Sequence, residues 1–244
     1  MATAAPDPSS VSQLLSECVV RVGAVTDLTP RRAAAMTCGD RDHLLLQLRA
    51  AALGPVLRLA VRCPSPSCLR AGTLSLETAA LCAVPAADPP ASLSAETPAG
   101  RALLRELTGE DAAALVGLAP GERSAHTWSR AVLRLGERGA MSAREWRALP
   151  TPVRHAIAIA YDRQRRGPRL AGHQSCTHCG ALIPWEATAA SLLAAGLRPG
   201  AERLAEEVHA FAWHYGWSEA ETLALPRQRR WTYLRRLRLA VESA

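Results

Sequence analysis

The sequence of 244 residues contains no lysine and no asparagine, so all 29 of its Lys and Arg side chains are arginine. A phosphate-binding loop that ends in G-K-[ST] is therefore impossible. The chain also lacks the G-x-G-x-x-G motif of dinucleotide-binding folds and the G-x-S-x-G motif of hydrolases. These absences exclude the common nucleotide-binding and serine-hydrolase classes.

Long hydrophobic runs are also missing. The longest apolar stretches, such as 50–53 and 187–197, are too short or too small-sided for a bilayer, which a helix of about 20 apolar residues spans. Residues 1–10 lack the basic and apolar regions of a secretory signal. The 7 cysteines therefore favour a reducing compartment, in which thiols stay free or bind metal. We expect a cytoplasmic protein with no membrane span.

The composition is that of a folded chain, because 48% of the residues are hydrophobic and 21% are charged. The patterning predicts a mainly α protein with small β-hairpins, of the α+β class. We divide it into four segments. They are 1–82 with N-terminal helices and a first cysteine hairpin, 83–163 with a linker and a helical insertion, 164–190 with a second cysteine hairpin, and 191–244, a helical tail.

Within the insertion, helical patterns follow a linker. Residues Ala83–Pro98 are expected to form a linker or long loop because they are rich in proline and alanine. Helices are predicted at Gly100–Leu107 and Ala125–Leu135. Nearer the N-terminus, Asp40 is expected to precede a helix over His43–Ala52.

Two cysteine pairs, Cys63-x4-Cys68 and Cys176-x2-Cys179, are the strongest chemical signal. A structural Zn²⁺ takes four soft ligands at tetrahedral corners, and a tight turn with two cysteines supplies two of them. Gly180 and the prolines of the first pair favour such turns. The pairs therefore predict a zinc-ribbon-like unit, although ribbons usually bring their pairs within about 15–20 residues. The long insertion then has to loop out of this unit.

Other roles for the cysteines stay open. The pairs are alternatively free buried thiols, or Cys63 and Cys68 form a disulfide, which a reducing compartment disfavours. His173 and His178 flank the second pair and are the substitute ligands. The remaining cysteines are expected to be ordinary buried thiols: Cys18, Cys38 and Cys82.

A catalytic zinc is not expected. Hydrolytic zinc keeps an open coordination position and usually has an acidic base beside it, whereas four thiolates close the coordination sphere. The chain has no H-E-x-x-H motif and no H-x-E before a P-C-x-x-C motif. We therefore expect a protein that is not an enzyme and has no small-molecule substrate.

Arginines crowd the last helix of the tail. A basic helix contacts either phosphate groups or the carboxylates of a protein partner. With a net charge of only +7 and arginines spread through the chain, we favour the protein partner and consider nucleic acid unlikely. The predicted partner-binding residues are Arg227, Arg229, Arg230, Trp231, Arg235 and Arg236. The aromatic residues around Phe211 and Tyr233 are expected to form core.

Two stretches of the sequence resemble a known family. The first contains Leu28-Thr-Pro30, Asp40-Arg-Asp-His43, Leu57-Arg-Leu-Ala-Val-Arg-Cys63-Pro and Leu74-Ser-Leu76. The second is the tail, with His209-Ala-Phe-Ala-Trp-His-Tyr-Gly216-Trp-Ser-Glu and then Arg229-Arg-Trp-Thr-Tyr-Leu234. Together they resemble the baseplate-hub family of T-even-type phages and bacterial contractile injection systems. Family members carry C-P-x-C-G at both cysteine pairs, whereas here the first pair is longer and the second lacks the proline.

The resemblance implies a non-enzymatic structural or assembly component of a contractile-tail baseplate, stabilised by zinc. Its partners are then other baseplate or tail subunits, and it is assembled into a phage-tail-like particle. Two alternatives remain. One is a zinc-ribbon regulator that binds nucleic acid through its last helix, and the other is a tail-assembly chaperone that is absent from the finished particle.

Overall fold

A computed structural model describes residues 7–83 and 92–242 of the chain. It divides into two compact units, Met1–Leu193 and Ala194–Ala244. Over the described residues the fold is mixed α/β with small antiparallel sheets, which confirms the coarse fold class. Within this part of the chain, no helix combines the length and the apolar character that crossing a bilayer requires.

Three helices begin the first unit: α1 (Pro8–Cys18), α2 (Pro30–Ala35) and α3 (Cys38–Leu53). Proline opens the first two, where its missing N–H group costs no hydrogen bond. The prediction that Asp40 precedes the third helix is wrong. Thr37 is its N-cap, since the Thr37 hydroxyl accepts a hydrogen bond from the Asp40 backbone N–H at 3.1 Å.

A buried arginine joins these three helices. The Arg41 side chain of α3 donates to the carbonyl oxygen of Ala33 at 2.6 Å and to the hydroxyl of Ser12 at 2.8 Å. It also donates to the Pro8 carbonyl at 2.9 Å. Because these acceptors satisfy the guanidinium, Arg41 is tolerated at 5% exposure.

A first hairpin and a short helix follow: β1 (Val56–Arg62), β2 (Ala71–Glu77) and α4 (Thr78–Cys82). The two strands pair antiparallel in the register that places Val56 opposite Glu77. Arg49 of α3 donates to the carbonyl oxygens of Gly54 and Val56 and so fixes the entry into the hairpin. The predicted cysteine-bearing turn therefore connects two regular strands.

The insertion contains a sheet as well as helices. In chain order its elements are β3 (Leu93–Thr97), β4 (Gly100–Leu104), α5 (Gly109–Ala114), α6 (Pro120–Ala131), β5 (Val132–Leu135), α7 (Ala143–Ala148) and α8 (Thr151–Gln164). The strands form one antiparallel sheet in the order β3-β4-β5. The insertion predicted to be helical thus contains a three-stranded sheet beside its four helices in the described residues.

Three local predictions fail for related reasons. The segment Gly100–Leu107 begins with a strand instead of a helix, because Gly100 has a positive φ of 100° and closes a tight turn between β3 and β4. The predicted helix Ala125–Leu135 ends at Ala131, where the chain enters β5. The predicted linker Ala83–Pro98 contains β3, while its residues 84–91 lie outside the described part of the chain.

The insertion has its own core. Ala102 and Leu104 alternate inward along β4, as expected of a strand that is buried on one face. Trp146 and Ile157 bring α7 and α8 against the same core. Tertiary packing therefore overrides the helix propensity of this alanine- and leucine-rich stretch.

After the insertion the chain forms a second antiparallel hairpin, β6 (Ala171–Ser175) and β7 (Leu182–Glu186). The return point is fixed by backbone contacts. The Arg169 N–H donates to the carbonyl oxygen of Leu81 at 3.3 Å, so the chain returns to the C-terminal end of α4. Gly39 and Gly167 also meet backbone to backbone, and a methyl group on either glycine would overlap the other segment.

The main core of the first unit lies between the N-terminal helices and the residues around the second hairpin. Its largest fully buried members include Leu15 and Leu46, which pack with Ala189, Leu192 and Leu193. The helix that supplies the last three is α9 (Ala189–Tyr215).

The second unit contains the remainder of α9, then α10 (Glu219–Ala224) and α11 (Arg227–Glu242). Gly216, with a φ of 68°, ends α9, and Ser218 caps α10 through a capping box with Glu221. Phe211 is completely buried, with ring contacts to Tyr215, Trp217 and Tyr233. This confirms the core role of Phe211, whereas other tail aromatics are exposed: Trp213 at 78% and Trp231 at 57%.

Within the insertion, Asp111 forms a buried ion pair. The Arg105 guanidinium donates to both carboxylate oxygens of Asp111, at 2.6 and 2.8 Å, and Thr108 completes a capping box. Burial by itself raises the pKa of Asp111, but the hydrogen bonds from Arg105 and Thr108 outweigh it and lower the pKa to about 2. The charged form of this carboxyl is therefore the one that stabilises the fold.

We expect the substitution Asp111→Asn to lower the free energy of unfolding by about 2 kcal/mol at neutral pH, because it removes a charge-assisted pair. The native pKa lies below the unfolded value of 3.8, so this contribution is present above pH 3.8 and is lost as the pH falls toward 2. Urea unfolding of both proteins between pH 7 and pH 3 tests this. The control Glu145→Gln alters the exposed capping box of α7 and should cost less; an equal cost would contradict the ion-pair account.

Candidate metal centre

Four cysteine sulfurs converge between the turns of the two hairpins. The Sγ atoms of Cys63, Cys68, Cys176 and Cys179 all lie within 4.8 Å of one another. Cys63 Sγ is 3.5 Å from Cys179 Sγ, and Cys68 Sγ is 3.9 Å from Cys176 Sγ. Four sulfurs placed tetrahedrally about a zinc ion at about 2.3 Å lie about 3.8 Å apart. The spacing of the sulfurs is therefore compatible with one metal ion bound by all four.

The first turn is built by backbone hydrogen bonds. The Cys63 N–H donates to the carbonyl oxygen of Arg70 at 2.9 Å and so closes the hairpin. Inside it, the N–H groups of Cys68 and Leu69 both donate to the carbonyl oxygen of Ser65, at 2.9 and 3.0 Å. Leu69 has a φ of 50°, in the left-handed region that favours glycine. The turn thus holds both sulfurs on one side at the expense of a strained leucine.

The second turn repeats this arrangement in fewer residues. The Cys176 N–H donates to the carbonyl oxygen of Ala181 at 2.8 Å, and the Gly180 N–H donates to the carbonyl oxygen of Cys176 at 2.9 Å. Gly180 has a φ of 75° and takes the same backbone role as Leu69. The two extra residues of the first pair are therefore accommodated without changing the final turn.

The backbone also sets the charge on the sulfurs. Hydrogen bonds from the backbone N–H groups of His178 and Cys179, aided by the sulfurs of Cys179 and Cys63, lower the pKa of Cys176 to about 6. The Ser65 N–H acts on Cys63 in the same direction, but burial and the neighbouring sulfurs outweigh it and raise the pKa of Cys63 to about 12. The cluster therefore favours one thiolate beside a thiol, and binding a cation would favour further deprotonation.

The four cysteines differ in their exposure to solvent. Cys63 and Cys176 are buried at 1% and 8% exposure beside Ile183, whereas Cys179 is exposed. On the outer side, an Arg70 guanidinium nitrogen lies 3.3 Å from the Nε2 atom of His178 and so bridges the two turns. A cation held here would have four sulfur ligands and no vacant position for a substrate, which makes the site suited to cross-linking.

The two histidines considered as substitute ligands are not part of the sulfur cluster. His173 is in β6, and His178 contacts Arg70; among the described residues the cluster consists of the four cysteines. Cys18 is exposed, so its prediction as a buried thiol is wrong. Cys38 is half-buried and donates to the Thr108 carbonyl at 3.3 Å. Burial and then Asp42 raise the pKa of Cys38 to about 11.

The predicted partner-binding residues of α11 fall on two faces. Arg230 points into the second unit, where its Nε atom donates to Glu207 at 2.9 Å and its side chain is 13% exposed. The exposed members are Arg229, Trp231, Arg235 and Arg236, while Arg227 is half-buried. Whether these side chains contact a partner stays a prediction.

Sequence reasoning did not identify Ser65, Leu69 and Arg70 as parts of the site. Ser65 shapes the turn through its carbonyl oxygen, which any residue type supplies, and Leu69 through a left-handed backbone that leucine rarely adopts. The available signal was alignment of the two turns on their second cysteine, which places Leu69 opposite Gly180. Arg70 could not be singled out from the sequence because arginines occur throughout the chain.

Leu69 and Gly180 occupy equivalent positions in the two turns, and we expect substitutions at them to change the free energy of unfolding in opposite directions. Leu69→Gly should raise the free energy of unfolding by about 1 kcal/mol, because it relieves a left-handed backbone at an exposed position. Gly180→Ala should lower it by about 1 kcal/mol. No atom lies within 4 Å of a methyl group at Gly180, so this cost would be purely conformational. Chemical denaturation measures both, and a destabilised Leu69→Gly protein would show that the leucine side chain outweighs the strain.

The site and the fold were compared with known proteins. No protein-family model, no curated protein and no solved structure matches the chain.

Proposed function

We propose that the protein is a non-enzymatic structural or assembly component of a contractile-tail baseplate, in which one Zn²⁺ ion cross-links two distant hairpins. The observation that carries the proposal is the convergence of the four sulfurs within 4.8 Å. A closed set of four thiolates is the usual ligand set of structural zinc. The ion would supply binding free energy to the fold and leave no position for chemistry.

Few buried residues pack between the two hairpin turns, which supports a stabilising role for the ion. Among the described residues, the buried cluster between the two turns consists of Cys63, Cys176 and Ile183, with three half-buried residues packed against it: Val61, Cys68 and Ala181. Cys176 lies 108 positions after Cys68 in the sequence. A cation at this point would link the tips of the two hairpins where few buried apolar side chains pack between them.

The baseplate assignment rests on the resemblance of the tail and of the first cysteine hairpin to that family. The tail also presents a surface suited to a protein partner. Between Arg227 and Val241 the sequence contains no acidic residue, and Arg229, Trp231 and Arg235 are exposed on α11. Arginine and tryptophan are the residue types that most often dominate binding at protein interfaces. We propose acidic surfaces of neighbouring baseplate or tail subunits as the partners.

The metal is tested by elemental analysis of the purified chain, with about one zinc per chain expected. Cys176→Ser with Cys179→Ser should abolish stoichiometric zinc and lower the thermal unfolding midpoint. Cys18→Ser changes a cysteine outside the cluster and should keep both. Full zinc and full stability in the double variant would contradict the site. Iron with a visible absorption spectrum would instead indicate an iron–sulfur centre, the other common use of four thiolates.

The assembly role is tested in the organism that produces the particle. Sheathed, tube-containing particles should contain the wild-type chain, and the triple variant Arg229→Glu, Arg235→Glu and Arg236→Glu should incorporate poorly because it reverses the charge of α11. The control reverses three exposed arginines of the first unit: Arg134, Arg144 and Arg147. A chaperone would give a different result. Deleting the gene would prevent particle assembly, yet purified wild-type particles would not contain the chain.

An assay of binding to duplex DNA distinguishes this proposal from a regulator that binds nucleic acid. Tight binding at physiological salt, with an affinity that falls steeply as salt increases and is lost in the triple variant, would contradict the baseplate proposal.

A further inference from the structure

We infer that Cys179 is an oxidation site: its thiolate reacts with a peroxide, and Cys63 of the other hairpin resolves the product as a disulfide. The inference rests on the proposed function in taking the four cysteines as ligands of one zinc ion. It assigns to the cluster a chemical reaction with a class of small oxidant, which a purely structural site does not require.

Exposure singles out one of the four sulfurs. Cys179 is exposed and Cys68 is half-buried, whereas Cys63 and Cys176 are 1% and 8% exposed. Peroxides react with accessible thiolates, and coordination to a cation keeps a cysteine in its thiolate form. A peroxide arriving from solvent therefore meets Cys179 before the other three.

The resolving cysteine is already in place. Cys63 Sγ lies 3.5 Å from Cys179 Sγ, and a disulfide of about 2.05 Å requires the two sulfurs to approach by about 1.5 Å. The remaining sulfurs, those of Cys68 and Cys176, lie 3.9 Å apart. Each of these contacts joins one hairpin to the other, so oxidation along them cross-links the hairpins.

The reaction balances with hydrogen peroxide as the oxidant. The Cys179 thiolate attacks the O–O bond, which breaks to give a sulfenic acid and hydroxide. The Cys63 thiolate then attacks the Cys179 sulfur, forms the S–S bond and expels the hydroxyl group, which leaves as water after protonation. Cys68 and Cys176 repeat these steps with a second peroxide. In total, four thiolates lose four electrons, two peroxides become four water molecules with four added protons, and the zinc ion is released.

The product would keep the architecture. Two disulfides between the hairpins replace the four metal–sulfur bonds that joined them, so the link between residues 63–68 and 176–179 becomes covalent. A chain made in the reducing cytoplasm would carry the metal, and a particle released into an oxidising environment would carry the disulfides.

The test uses the zinc-loaded full-length chain and hydrogen peroxide. A chromogenic zinc chelator follows metal release, and circular dichroism follows the fold. We expect one zinc ion released for every two peroxide molecules consumed, with the helical signal retained. Zinc retained at a tenfold excess of peroxide would overturn the inference. So would a chain that unfolds as zinc leaves.

Peptide mapping decides the pairing. Arg62 and Arg70 flank the first pair, so trypsin leaves Cys63 and Cys68 on one peptide, and Arg169 places Cys176 and Cys179 on another. We expect the two peptides to be joined, and fragments cleaved both between Cys63 and Cys68 and between Cys176 and Cys179 should assign Cys63 to Cys179. Separate peptides with internal disulfides, or sulfinic acids without a disulfide, would overturn the inference.

Two variants test whether Cys179 is the sulfur that peroxide attacks first. Cys179→Ser should lower the peroxide-dependent rate of zinc release, taken as the slope against peroxide concentration, by about tenfold because the exposed thiolate is gone. Cys18→Ser removes an exposed cysteine that lies outside the cluster and should keep the slope within about twofold. Equal slopes would overturn the role of Cys179. The zinc content of the untreated chain is measured first, so failure of the metal site and failure of the oxidation site are distinguished.

Discussion

The convergence of four sulfurs at the tips of two hairpins is the constraint on which the rest of the first unit depends. It brings together turns separated by 108 residues, counted from Cys68 to Cys176, although few apolar side chains pack between them. The hairpins can meet only if the chain leaves and returns at fixed points. The buried Arg41, the contact between Gly39 and Gly167 and the core around Leu15 serve this requirement, because they hold the N-terminal helices against the returning segment.

The two turns show how the same sulfur positions arise from different sequences. The final turn depends on one residue with a left-handed backbone, supplied by Gly180 in one hairpin and by Leu69 in the other. Leucine pays a conformational penalty there that glycine avoids. In both hairpins the residue after the second cysteine donates its N–H to the carbonyl oxygen four residues earlier. The first pair therefore keeps the final turn of the second pair although its loop is two residues longer.

The cysteine-bearing turns, the capping boxes and the tail helices were predictable because their signals are local. Thr108 with Asp111, and Ser218 with Glu221, lie three residues apart and act on neighbouring backbone groups. The strand that begins at Gly100 was not predictable in this way, since alanine and leucine favour helices and only pairing with residues 93–97 and 132–135 makes them a strand. The inward direction of Arg230 likewise depends on Glu207, 23 residues away.

The backbone hydrogen bond between Leu81 and Arg169 brings the two ends of the insertion together. The inserted residues therefore branch from a shorter path that runs from the first hairpin directly to the second. A shorter or longer insertion would leave the two cysteine turns in place. The number of residues between the cysteine pairs is thus free to change, whereas the two turns and the residues that flank them are fixed by the cluster.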